Sequence, residues 1–381
     1  MVIGIDIRVL TTGRTTGIEE YTRHLLDFLF DCDPGTRFKL FRSGRGNVSI
    51  PDGWLTRKNV TCVNVRRSNR WLMATTAVSG RPYLDRLVGG ADVFFFPHFL
   101  IGGVSPACRR VVTFHDLSFE RFPHLFSAKR RLWHALQRPR WQASKADRII
   151  AVSGSTRDDL VRLYRVSAGR IATIHSGIDP ALRDQRTLFP DRQGMILLVL
   201  CAMEERKNIA GAITAFELLK VTGRYAGLKL VLAGSAAHGE RDMAAHVKRS
   251  PWVGDITRIS SFSPTDRQRL YATAAVFLYP SFFEGFGFPP LEAMACGIPV
   301  VTSATSSIPE VVGDAALLVN PSDAQQVASA VGALLDDRQL IELMRMRGLE
   351  RVRQFSWQRA AEKTMSVLYD AVREPSPHAV R

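Results

Sequence analysis

The sequence offers no paired cysteines. Its five, Cys32, Cys62, Cys108, Cys201 and Cys296, are odd in number and far apart, and no CxxC occurs. That argues against a disulfide framework and a zinc site, and it suits a reducing, cytoplasmic setting. Long apolar runs are also missing. The most apolar stretch, Leu87 to Val104, is broken by Asp92, Pro97, His98 and four glycines, whereas a membrane span needs about 20 predominantly apolar residues. The start, MVIGIDIRVL, lacks the basic segment, apolar run and cleavage site of a leader and reads as a first strand. No P-loop GxxxxGK[ST] occurs, and the glycine segment after that first strand is not a GxGxxG dinucleotide fingerprint.

At 381 residues the chain is too long for one ordinary core and suits two domains. With 46% hydrophobic and 23% charged residues it has globular proportions. The formal net charge is +15 and unevenly placed: residues 1–190 hold 30 of the 51 basic residues and 16 of the 36 acidic ones. A basic first half suits an anionic membrane surface, a phosphate-bearing acceptor or a nucleic acid. An arginine-rich solvated surface explains it equally well. No recognised nucleic-acid module appears, so no nucleic-acid partner is expected. Two basic, aromatic-rich segments, Phe119–Arg140 and Arg66–Arg86, have the composition of an interfacial surface on anionic lipid.

Short apolar or β-branched runs alternate with amphipathic stretches. Strands are expected at Val2–Ile7, Phe38–Phe41, Val60–Val65, Val93–Phe96, Val111–Phe114, Arg148–Val152 and Ile171–Ile174. Between them lie helices such as Glu19–Phe30, Lys129–Ala143 and Ser155–Tyr164. After a polar linker at Asp184–Gly194 the alternation restarts at Met195–Leu200 and ends in a helix at Trp357–Arg373. Such alternation signals parallel sheets covered by helices, with a ligand at the strand carboxyl ends.

The chemistry-bearing residues cluster after strands. Ser281 to Val300 turns through Gly285 and Gly287 and opens a helix with Pro289 and Pro290. The exposed N–H groups at the helix start and the helix dipole suit an anion there, and Glu284 and Glu292 are placed to accept hydrogen bonds from sugar hydroxyls. Met203-Glu-Glu-Arg-Lys-Asn208 puts a cation pair, Arg206 and Lys207, after a strand, where it can neutralise a diphosphate or simply form an exposed turn. Gly13 and Gly17 allow close approach of a phosphate after the first strand. His115-Asp116 ends another strand. Asp31-Cys-Asp33 spells a DxD, but before Pro34-Gly35 it reads as a solvated turn, and no metal is expected.

The Ser281–Val300 stretch with its flanks Tyr279-Pro-Ser and Thr302–Pro321 resembles the glutamate-x7-glutamate region of the retaining glycosyltransferase family numbered four. The chain most resembles members that build bacterial polysaccharides, including mannosyltransferases with a start similar to Thr16-Gly-Ile-Glu19 and a segment similar to His115-Asp-Leu-Ser-Phe119. The resemblance implies an α/β GT-B fold, two Rossmann-like doubly wound domains facing a cleft. It assigns residues 1–185 to acceptor binding, 186–355 to donor binding, and 356–381 to a helix crossing back plus tail. It implies that Glu284 contacts the donor sugar and Glu292 the nucleotide ribose. Arg206 and Lys207 would hold the diphosphate, Gly285, Phe286, Gly287 and Phe288 would approach sugar and phosphates, Gly17 would face the diphosphate, and His115 would sit beside the donor sugar. Cys201-Ala202 departs from the family, which usually has glycine followed by Thr or Arg there.

The function so implied is metal-independent, retaining transfer of a hexose in polysaccharide biosynthesis, with mannose from GDP-mannose as the first choice. The partners expected are a nucleotide-sugar donor and a glycan or polyprenyl-diphosphate-linked acceptor; the charge of the basic first half adds an anionic membrane surface as a candidate. No cofactor is implied. The location would be cytoplasmic or peripheral at the inner face of the membrane. A non-catalytic sugar-nucleotide binding protein and a sugar-nucleotide epimerase stay open.

Overall fold

The structure is a computed structural model that describes all residues except 13–16, 45–49, 184–194, 238–239 and 377–381. Gly13 and the linker at Asp184–Gly194 fall outside the described residues. The chain divides into two compact units. The first comprises Met1–Pro123, Ala128–Gly177 and Ser356–Arg381; the second comprises Ile178–Phe355 with His124–Ser127.

The first unit is built on seven parallel strands: β1 (Val2–Asp6), β2 (Arg37–Ser43), β3 (Val60–Val65), β4 (Val93–Phe96), β5 (Arg109–Phe114), β6 (Arg148–Ala151) and β7 (Ile171–Thr173), in the order β3-β2-β1-β4-β5-β6-β7. The central strands are covered on both faces, which is why they read as unbroken apolar runs rather than alternating ones. Phe94, Phe95 and Phe96 are all buried. The final helix, Trp357–Arg373, belongs to this unit and packs along the Gly17–Leu29 helix.

The second unit repeats the scheme with six strands: β8 (Ile196–Leu200), β9 (Lys229–Ala233), β10 (Ile256–Ile259), β11 (Val276–Tyr279), β12 (Val300–Ser303) and β13 (Leu317–Val319), in the order β10-β9-β8-β11-β12-β13. In each sheet the order reverses once, between β1 and β4 in the first and between β8 and β11 in the second. Open parallel sheets bind ligands outside the strand carboxyl ends at such a reversal.

Two expectations are corrected in detail. The helix read as Lys129–Ala143 is two, Ala128–Gln137 and Pro139–Lys145, because Arg138 takes a left-handed conformation (φ 51°) and Pro139 has no N–H to continue the ladder. The DxD-like turn is not merely solvated: Asp33 accepts hydrogen bonds from Tyr369 and Thr36, and so fastens the final helix, while Asp31 pairs with Arg57.

Candidate active site

β8 and β11 are the neighbours at the reversal of the second sheet, and the residues that follow them converge. After β8 a single turn of 3-10 helix, Glu205–Lys207, presents Arg206 and Lys207. Asn208 then stops it in a left-handed conformation (φ 53°), accepts a hydrogen bond from the N–H of Gly211 and caps the Ile209–Val221 helix. After β11 the chain runs through Ser281 to Glu284. Glu284 Oε2 accepts from Arg206 Nη1 at 3.0 Å. Its Oε1 accepts from Lys207 Nζ at 2.6 Å, Ser281 Oγ at 2.6 Å and the Tyr279 hydroxyl at 2.9 Å. Lys207 also donates to that hydroxyl at 2.7 Å.

Burial pushes the Glu284 carboxyl up, but Arg206, Lys207 and the hydrogen bonds outweigh it and hold it at about 2. It is therefore a permanent carboxylate. The Tyr279 hydroxyl, buried beside that charge, is pushed well above its ordinary value and stays protonated. Glu204 reaches Arg206 at 3.4 Å, so two cations and two carboxylates balance.

The loop that carries Glu284 is clamped from two sides. Phe282 N–H donates to the Arg206 carbonyl, and Arg206 Nη1 donates to the Phe283 carbonyl at 2.5 Å. The serines after β12 supply the other side. Ser306 Oγ accepts from Glu284 N–H at 2.8 Å, and Ser307 Oγ donates to the carbonyls of Glu284 and Phe286. Gly287, at φ 104°, then caps the Phe288–Ala295 helix. Phe288 is the first helical residue and Pro289 the second. The helix thus begins one residue before the Pro289-Pro290 opening read from the sequence, and a first-turn proline loses no intrahelical bond. Phe286 is buried against Phe288 and Phe355, so this stretch, with Gly285 also buried, can meet a ligand through backbone rather than rings.

Glu292, one turn further along, does not join the Glu284 cluster. Its carboxylate accepts from the Tyr271 hydroxyl at 2.8 Å and pairs with Arg267 at 3.4 Å, and Arg267 also reaches Asp179 at 3.8 Å.

In the first unit, Gly17 is the first residue of the Gly17–Leu29 helix, and His115 directly follows β5. Tyr21, on that same helix, packs edge-on against the His115 ring at 4.7 Å. His115 Nε2 lies 2.8 Å from the Pro97 carbonyl, which can only accept, so Nε2 carries the hydrogen. Burial depresses its pKa to about 4, which leaves a neutral ring with Nδ1 as a lone-pair acceptor. Asp116 does not orient it: its carboxylate is turned to the N–H and hydroxyl of Ser118. Ser153 caps the Gly154–Tyr164 helix through Thr156 N–H.

The structure thus brings together Arg206, Lys207 and Glu284, and adds Tyr279, Ser281, Ser306 and Ser307, which sequence reasoning did not single out. The signal was present in the run Thr302-Ser-Ala-Thr-Ser-Ser307: so many hydroxyls after one buried strand need partners. Among the described residues there is no group of three or more His, Cys, Asp or Glu side chains arranged to hold a metal ion.

Two family models match the chain, "Glycosyltransferase Family 4" over residues 15–182 and "Glycosyl transferases group 1" over residues 194–337. The chain belongs to glycosyltransferase family 4. The family 4 chain is 34% identical to O-antigen chain mannosyltransferase B of Escherichia coli over 294 residues, 75% of this chain and 74% of that protein. It is 29% identical to the serotype-specific mannosyltransferase WbdA of the same organism over 57% of this chain, and this match spans only 28% of WbdA. Among solved structures, sucrose-phosphate synthase from Thermosynechococcus elongatus superposes with a TM-score of 0.72 at 20% identity, covering 97% of this chain and 98% of that one. At that identity the likeness is one of fold, and the fold of this glycosyltransferase is GT-B.

Proposed function

We propose that the chain transfers mannose from GDP-mannose to a glycan or polyprenyl-diphosphate-linked acceptor in polysaccharide biosynthesis, with retention of anomeric configuration and without a metal ion. The observation that carries the transfer reading is the pair of cations on one buried carboxylate at the strand reversal. Mannose is favoured by the 34% identical E. coli mannosyltransferase.

In this reading the donor diphosphate enters beside Arg206 and Lys207 and competes with Glu204 for the Arg206 guanidinium, held at 3.4 Å. As the glycosidic bond to the phosphate oxygen breaks, negative charge grows on the leaving group. The two cations and the helix-start amides near Phe288 are preorganised to stabilise it. Glu284 keeps both cations aimed and offers its remaining acceptor capacity to sugar hydroxyls; Glu292, held by Tyr271 and Arg267, offers an acceptor to the ribose. The acceptor hydroxyl attacks from the face the phosphate leaves, and the departing phosphate oxygen takes its proton. A neutral His115 can accept a hydrogen bond at Nδ1 from a sugar hydroxyl. No Lewis acid is required in this scheme, because the charge is met by side chains.

A thermal-shift panel of nucleotide-sugars tests it. GDP-mannose should raise the melting temperature, since a ligand bound only by the folded state stabilises it. Lys207→Ala should abolish the shift and lower transfer by about 100-fold or more. A shift with UDP-sugars alone would reject the donor assignment, and undiminished transfer in Lys207→Ala would reject the site. Product formed without acceptor would point to an epimerase instead.

A further inference from the structure

We propose that the outward face of the Ala128–Gln137 helix, together with the adjoining Asn69–Ser79 helix, seats this protein on an anionic phospholipid bilayer. The inference does not depend on the donor or the reaction.

The Ala128–Gln137 helix presents its apolar side outward. Leu132, Trp133 and Leu136 are 61%, 38% and 44% exposed. With Lys129 they fall at the spacing that places residues on one stripe. The adjoining side of the helix faces inward and fixes this orientation. His134 stacks on Phe119 with ring centroids 4.2 Å apart, and Gln137 Oε1 accepts the Ile101 N–H at 3.0 Å. Trp133 is itself steadied by parallel contact with His98 at 6.1 Å.

The charge around the stripe has one sign. Residues 128–140 contain Lys129, Arg130, Arg131, Arg138 and Arg140 and no acidic residue. The neighbouring helix is tied on by Arg138, which donates to the Ala77 carbonyl at 3.0 Å, and by Gln137 reaching Met73 Sδ at 3.5 Å. It too exposes apolar side chains, Trp71 at 42% and Val78 at 90%, and Arg67 lies over the Trp71 ring. From Arg66 to Leu84 no acidic residue interrupts.

Large apolar side chains on successive turns, ringed by long cationic ones, fit a headgroup boundary. The leucines and indoles enter it while the arginines reach anionic phosphates. A nucleic acid would use the charges and leave the leucines idle. Among the described residues no helix is long and apolar enough to cross a membrane, so this contact would be peripheral.

The test is flotation of the full chain with vesicles of phosphatidylcholine alone and of phosphatidylcholine mixed with phosphatidylglycerol. The protein should float only with the mixed vesicles and be released by salt. Leu132→Ser with Leu136→Ser should lower partitioning about ten-fold or more. Lys129→Glu with Arg131→Glu should lower it by a similar factor on mixed vesicles. All four positions are exposed, and unchanged melting temperatures would show both variants folded. Equal binding to both vesicle types, binding to neither, or wild-type binding by both variants would overturn the proposal. So would flotation that needs polyprenyl diphosphate in neutral vesicles, which would make the patch an acceptor site. A dimer that the leucine variant dissolves, with no vesicle binding, would assign the face to a second copy and overturn it as well.

Discussion

Glu284 is placed so that its charge is needed whether or not donor is present. Its four hydrogen-bond partners use both oxygens, and two of them are largely buried cations. Removing one partner of a buried ion pair costs more than the pair contributes, because the remaining charge is stranded. Glu284→Gln should therefore destabilise the protein by about 3 kcal/mol. The pH dependence has a definite sign. The folded carboxyl titrates at about 2, below its ordinary value of 4.5. Its contribution is thus fully present above pH about 4.5 and is lost as pH falls toward 2. Urea midpoints measured across that window should show a fall in wild type that is shallower in Glu284→Gln. Parallel curves for the two proteins would show that the carboxylate does not carry this stability.

At the scale of elements, the approach from β11 to the Phe288–Ala295 helix depends on one backbone angle. Gly287 sits at φ 104°, and a Cβ there would come within 2.6 Å of Ile308 Cδ1. The side chain tip can yield, so the cost is mainly the left-handed backbone, about 1–2 kcal/mol for a non-glycine residue. Gly287→Ala should lose about that much stability and weaken donor binding further, because the amides at Phe286–Phe288 would turn. Gly254→Ala, where nothing lies within 4 Å, is the control and should leave both unchanged. Calorimetric titration with donor separates the two effects; unaltered affinity in Gly287→Ala would remove these amides from the site.

Much at this scale could be read in advance. The seven strands of the first sheet announced themselves because each is a short apolar run bounded by polar turns. What escaped notice was weakly patterned. β10, Ile-Thr-Arg-Ile, and β13, Leu-Leu-Val, are edge strands only partly covered, so little hydrophobic contrast marks them. The Asn69–Ser79 helix carries Thr75, Thr76 and Val78, β-branched residues that argue locally against helix. The cation pair and Glu284 were legible as types in a pattern. Their mutual contact was not, since it arises only when β8 and β11, some 80 residues apart, pair side by side. The role of the serines after β12 was hidden for the same reason.

At the scale of the whole molecule, the first unit is discontinuous: its last piece, Ser356–Arg381, arrives after the entire second unit. That piece is structural. Trp357, Met365, Val367 and Leu368 are buried, as are four smaller side chains of the same helix. The Trp357 ring meets Tyr21 at 5.8 Å and stacks on His24 at 5.5 Å. Gly177 accommodates it so closely that a Cβ would lie 2.2 Å from the Trp357 nitrogen. At roughly 1.5–3 kcal/mol for each large buried side chain, these four contribute an amount comparable with the roughly 5–15 kcal/mol that keeps a whole domain folded. A chain ending at Phe355 should therefore lose the first unit while the second, whose main segment runs from Ile178 to Phe355, keeps its own core. Differential scanning calorimetry should show the first unit's transition gone, and limited proteolysis should degrade residues before Gly177 and spare those after it. Wild-type protease resistance across both halves would mean that the first unit stands without its closing helix. The loss would also disturb Tyr21, which contacts both Trp357 and His115, so the truncated chain should fail in transfer even if its second unit still binds nucleotide-sugar.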